Sequence, residues 1–138
     1  MCRAAGLILH CGDFTSAAFL AQLRELGPRV EGVSGNIDEP LLRAALPLER
    51  VVEVEDARIG MLHIAGPATG RSARLRARFP DCDAIVYGHT HVPEVVRDGG
   101  VWILNPGSPT ERRRAPSRAM LLLHVNGGDV RPERVELT

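Results

Sequence analysis

The chain has 138 residues, 44% hydrophobic and 25% charged, enough for one globular domain with a real core and short for two. Its 17 basic residues, every one an arginine, balance 17 acidic ones, so no net field draws it to nucleic acid or an anionic membrane. Cys2, Cys11 and Cys82 are odd in number and form no Cys-x-x-Cys pair, which excludes a disulfide framework and points to a reducing, cytoplasmic setting. The apolar run from Ala4 to Leu9 is too short for a signal-peptide core or a membrane span.

Leu7-Ile8-Leu9 reads as a short buried strand running into His10-Cys11-Gly12-Asp13. From Ser16 the period turns helical through Phe19, Leu20, Leu23 and Leu26, and Gly27-Pro28 ends it. Val30 to Val33 is the next strand, stopping at Ser34-Gly35-Asn36, and Asp38 can cap a short helix through Leu46. Arg50 to Glu55 alternates valine with glutamate and turns at Asp56-Ala57 into a second strand, Ile59 to Ile64. Ser72 to Phe79 is an amphipathic helix with Leu75 and Phe79 inward and arginines outside.

Ala84 to Tyr87 is a strand that delivers Gly88-His89-Thr90-His91. Val92 to Arg97 and Val101 to Leu104 form a hairpin across Asp98-Gly99-Gly100. After a polar loop from Asn105 to Pro116, Ala119 to Val125 pairs with Val130 to Leu137 across Asn126-Gly127-Gly128-Asp129. The expectation is a single α/β domain over residues 1–138, with α/β units giving way to antiparallel hairpins.

The polar islands Gly12-Asp13, Gly35-Asn36, His63 and Gly88-His89-Thr90-His91 each sit where a hydrophobic strand ends. Asp13 offers two oxygens with lone pairs in different directions, suited to bridging two cations, although a lone Gly-Asp before a helix is more often an N-cap. Asn36 offers a neutral amide oxygen and, alone, reads as an Asx turn. His63 alone reads as a core histidine. His89 and His91 differ: one residue apart in extended backbone, they point to one face and suit a shared metal. His10 lies one step from the site and Asp38 just beyond Asn36, so both stand as candidates to support the ligands from behind. His124 lies on a late strand with no partner motif, and Arg112-Arg113-Arg114 reads as a solvated charge run.

The joint order Gly-Asp, Gly-Asn, His, Gly-His-x-His resembles the calcineurin-like metallophosphoesterase superfamily, and within it the small YfcE-type phosphodiesterases. Leu7 to Asp13, Gly35-Asn36-Ile37-Asp38, Val86 to Pro93 and Asn105-Pro106-Gly107-Ser108 carry the likeness, from about Ala5 almost to the C-terminus. The resemblance implies a four-layer αββα sandwich, two mixed β-sheets flanked by helices. It makes Asp13 the bridging ligand, places Asn36, His63 and His89 on one metal, and His91 on the other. No side chain is assigned as nucleophile; a metal-bound hydroxide is expected to attack a small phosphoester. Mixed oxygen and imidazole donors suit manganese, iron, cobalt, nickel or zinc better than calcium without choosing among them, and two divalent cations, manganese foremost, are the expectation that goes with the resemblance.

Two departures follow from the same comparison. Ile37 stands where many relatives carry a histidine that protonates the leaving group, so esters with good leaving groups are favoured. The Asp-x-His that opens the family's site is absent: none of the five histidines has an aspartate two residues before it. The first strand and helix of the resembled fold are therefore expected to be missing, through a late start site or a fragment. The chain as given is expected to be a weak catalyst, and the encoded residues before Met1 are expected to supply the motif. The rival reading is a protein-binding scaffold, the role of a retromer subunit of the same branch. A nuclease fits less well, because no basic and aromatic groove is evident.

Overall fold

The computed structural model describes residues 7–10, 29–33, 49–88, 94–106 and 118–137. Alternation builds the first hairpin. In β3 (Glu49–Val54) Val52 is buried while Val51 and Glu53 face outward, and β4 (Ala57–Leu62) returns antiparallel with Ile59 opposite Val52. The turn between them is Glu55-Asp56, one residue earlier than expected, because Ala57 is wholly buried and already belongs to β4. Glu55 takes a positive φ of 52°.

Between β4 and the next strand, α1 (Arg71–Arg78) forms with Leu75 and Phe79 one turn apart and both buried. It starts without a side-chain cap, from Gly70 at φ 71°, a left-handed backbone that glycine adopts without strain. Arg76 and Arg78 in the last turn complement the helix dipole, and Pro80 follows its end. Gly60 in β4 exists for this packing: a Cβ there would lie 2.7 Å from the Phe79 ring.

The following strands, β5 (Ala84–Tyr87), β6 (Glu94–Asp98) and β7 (Val101–Asn105), complete a five-stranded sheet in the order β3-β4-β5-β7-β6. The β6–β7 hairpin is antiparallel as the Gly99-Gly100 turn predicts, but it is β7 that lies parallel to β5, leaving β6 at the edge. The sheet is thus mixed. All four residues of β5 are buried, as befits a parallel strand covered on both faces.

On one face Leu62, Ile85, Tyr87 and Ile103 pack with Leu75, Phe79 and Cys82 under α1. On the other, Ile59, Met61, Val86 and Leu104 meet two further strand pairs. One is the parallel pair β1 (Leu7–His10) and β2 (Arg29–Gly32), reached through Leu9 and Val33. The other is the antiparallel pair β8 (Arg118–Asn126) and β9 (Asp129–Leu137), reached through Leu121, Leu123, Val125 and Val130. Trp102 secures this hairpin by donating its indole N–H to the Val130 carbonyl at 2.8 Å. Its turn is secured as well: Asp56 N–H donates to the Gly127 carbonyl and Gly127 N–H to the Glu55 carboxylate, both at 3.0 Å.

The architecture is α/β, with a helix, a mixed sheet and a second layer of strands stacked in that order. The helices expected from Ser16 to Leu26 and from Asp38 to Leu46 lie outside the described residues.

Candidate metal centre

Parallel pairing brings the ends of two strands together. Leu62 of β4 pairs with Tyr87 of β5, so His63 and Gly88 emerge side by side, and Gly88 N–H donates to the His63 carbonyl at 3.0 Å. Two of the polar islands, His63 and the start of Gly88-His89-Thr90-His91, therefore share one edge of the sheet. His63 is only 4% exposed, although Ile64 beside it is half exposed. A buried imidazole on the rim of a sheet can serve as a core residue or as a ligand.

Asn105 closes the row from β7. It is fully buried and lies opposite Glu94 of β6, and its amide Nδ2 donates to the Gly88 carbonyl at 3.5 Å. Both peptide groups of Gly88 are therefore engaged, one from the β4 side and one from the β7 side. The polar loop expected to begin at Asn105 begins after it, since Asn105 ends β7.

Tyr87 stands on the same row, 2% exposed, with its ring in the cluster beneath α1. Its hydroxyl donates to Glu94 Oε1 at 2.7 Å and accepts from Arg71 Nη1 at 2.9 Å, while the Arg71 guanidinium lies 4.8 Å from the ring centroid. Burial, reinforced by the hydrogen bond and negative charge of Glu94, pushes the phenol up to about 12, so it is a donor at neutral pH. Arg71 also donates to the Gly66 carbonyl from Nη2 at 2.9 Å and Nε at 3.3 Å. Arg74 donates to the carbonyls of Pro67 at 2.6 Å, Thr69 at 2.8 Å and Ala65 at 3.1 Å. The segment that follows His63 is held by these two arginines.

Of the residues singled out in the sequence, His63 is placed at the site edge with its side chain described, and His10 ends β1 opposite Gly32 in backbone register. Asp13, Asn36, Asp38, His89 and His91 lie outside the described residues. Among the described residues no three His, Cys, Asp or Glu side chains converge to hold a metal. His124 pairs with Glu133 at 3.0 Å on the surface, as expected for a histidine away from the site. Tyr87, Asn105, Arg71 and Glu94 were not anticipated as site residues. The available signal was a lone tyrosine in an aliphatic strand immediately before Gly88, and an asparagine closing another.

Comparison with known proteins identifies the family. Residues 2–128 match the calcineurin-like phosphoesterase superfamily domain, and the chain belongs to that family. It is 35% identical over 122 residues to a probable metallophosphoesterase of Methanocaldococcus jannaschii, covering 86% of this chain and 60% of that protein. It is 37% identical over 122 residues to a probable metallophosphoesterase of Methanothermobacter thermautotrophicus, covering 87% and 70%. The chain thus spans less than two thirds of the first relative's length. Among solved structures it resembles Vps29 of Entamoeba histolytica. A single mutant of that protein has TM-score 0.77 and 26% identity, covering 99% of this chain and 86% of the other. The wild-type protein complexed with zinc has TM-score 0.74 and 28% identity, covering 94% and 81%.

Proposed function

We propose that the chain is a divalent-metal-dependent phosphoesterase acting on small phosphodiesters. The observation that carries this is the placement of His63, buried at the end of β4 with its carbonyl bound to the N–H of Gly88, the residue that precedes His89 in the sequence. In this reading Asp13, Asn36, His63, His89 and His91 would hold the metal, with Asp13 shared and His91 apart from the other three.

The donor chemistry fits such a group. A neutral imidazole offers a nitrogen lone pair, an asparagine an amide oxygen, and an aspartate two hard oxygens. Manganese is the favoured ion; the zinc held by Entamoeba histolytica Vps29 supports a transition-metal site in this fold. Divalent cations bound there would acidify a water and neutralise charge on the phosphate. The protein's own part is to hold the ligands. Burial keeps bulk water from His63, the His63–Gly88 bond fixes the spacing of two segments, and Asn105 fixes Gly88 from its other side. The substrate is a small phosphoester, and the setting is cytoplasmic. No helix among the described residues is long and apolar enough to cross a membrane.

The likeness to Vps29 favours a second reading, a protein-binding scaffold with the same fold. Metal-dependent hydrolysis separates the two readings, since Vps29 of Entamoeba histolytica itself holds zinc; metal binding tests the site. Titrated with manganese or zinc in a calorimeter, the wild-type chain is expected to bind and His63→Ala to lose that binding while staying folded. Equal binding by the two proteins would remove His63 from the site, and no binding by the wild type would overturn the metal site.

A further inference from the structure

Two segments have described ends where His63 emerges: the one after β4, and the one that leaves β5 at Gly88 and enters β6 at Glu94. Three polar side chains link them. Arg71 grips the Gly66 carbonyl, three residues past His63, with Nη2 at 2.9 Å and Nε at 3.3 Å. Its remaining Nη1 donates to the Tyr87 hydroxyl at 2.9 Å, and that hydroxyl donates to Glu94 at 2.7 Å. Tyr87 directly precedes Gly88 and Glu94 directly follows Pro93, so the one hydroxyl ties together the two ends of the Gly88–Pro93 segment.

We propose that Arg71, Tyr87 and Glu94 form a positioning clamp that fixes the two ends of the histidine-bearing segment, Gly88 and Glu94, relative to His63. The inference rests on the metal reading of the site. None of the three is offered as a ligand or as a group that touches substrate.

The residue types argue for this role over simple core filling. A phenylalanine would fill the cluster under α1 as well as Tyr87 does, because the ring alone makes the apolar contact. The hydroxyl adds only the link between Arg71 and Glu94. Arginine can make that link and hold Gly66 at once because its rigid fork presents donors in two directions, which a lysine does not. Both terminal groups are charged, so each hydrogen bond is charge-assisted and more directional than a neutral one. The clamp is also local. Asp83 joins the opposite ends of the strands, its carboxylate accepting from Arg58 N–H at 2.8 Å and its carbonyl from Trp102 N–H at 3.1 Å. Loss of the clamp should therefore loosen one edge and leave the sheet intact.

Tyr87→Phe tests this in the full chain. Amide hydrogen exchange gives a readout that needs no metal. Exchange at Gly88 is expected to rise about tenfold or more, since the variant loses both charge-assisted hydrogen bonds of the hydroxyl, while Ile103 in the middle of the sheet stays unchanged. Zinc affinity, measured by competition with a chromogenic chelator, is expected to weaken about tenfold for the same reason. Glu94→Gln keeps an acceptor for the hydroxyl and should restore most of both values, whereas Glu94→Ala should behave as Tyr87→Phe does. Unchanged exchange at Gly88 overturns the clamp. Raised exchange with unaltered zinc affinity overturns its positioning role. A wild-type chain that takes up no zinc overturns the metal reading instead, and exchange at Gly88 then decides the clamp alone.

Discussion

Tyr87 is the only tyrosine, and the chain contains no lysine, so its ionisation can be followed with little interference. Its phenol is raised from 10.0 to about 12, first by burial and then by Glu94. Because the folded state favours the protonated phenol, this contribution to stability is whole below pH 10 and is lost as pH climbs from 10 towards 12. At 1.36 kcal/mol per tenfold change in ionisation, the separation corresponds to roughly 2–3 kcal/mol. Arginines stay charged throughout this window. Cys82 is the described thiol to account for: burial pushes it up as well, so it erodes stability from above 9.0. A Cys82→Ala background separates the two. The assay is spectrophotometric titration of tyrosinate in native buffer and in urea, with urea melts across the same pH range. The native midpoint should lie near 12 and return to about 10 in the unfolded chain, and Tyr87→Phe should abolish the loss of stability between those values. A native midpoint near 10 would refute the burial argument and the bond to Glu94 together.

Gly60→Ala forces its Cβ against the Phe79 ring and should cost about 1–3 kcal/mol in a urea melt; an unchanged midpoint would mean that the ring does not rest on Gly60. Ile103→Ala, at a wholly buried position, should cost about 2–5 kcal/mol by the same method. Trp102→Phe removes the bond to the Val130 carbonyl and should cost about 1 kcal/mol or more, followed by circular dichroism because Trp102 is the only tryptophan.

Local pattern carried much of the fold. The alternation of Val52 and Glu53, the aliphatic run before Tyr87 and the Gly-Gly turns each predict the strand or hairpin that forms, because a period of two and a positive-φ turn are properties of neighbouring residues. Strand order was less legible: the charged residues of β6 suit an edge strand and the aliphatic run of β7 an interior one, but no local pattern says that β7 crosses over to lie parallel to β5. The arginines of α1 read as a solvated face, yet Arg74 caps loop carbonyls, Arg76 lies 3.6 Å from Asp98 and Arg78 pairs with Glu49. Their partners lie in other segments, which a helical period cannot reveal. His63 was ambiguous for a physical reason, because burial is the same whether its ring packs or coordinates. Only its pairing beside Gly88 supplies the second observation.

The most direct test of the proposed function is the initial rate of aryl phosphodiester hydrolysis as manganese is raised, with the wild-type chain and His63→Ala side by side. A weak but saturable metal-dependent rate in the wild type, absent from the variant, is the expected result. A wild-type rate no higher than the metal-only blank, or an equal rate in the variant, would contradict it.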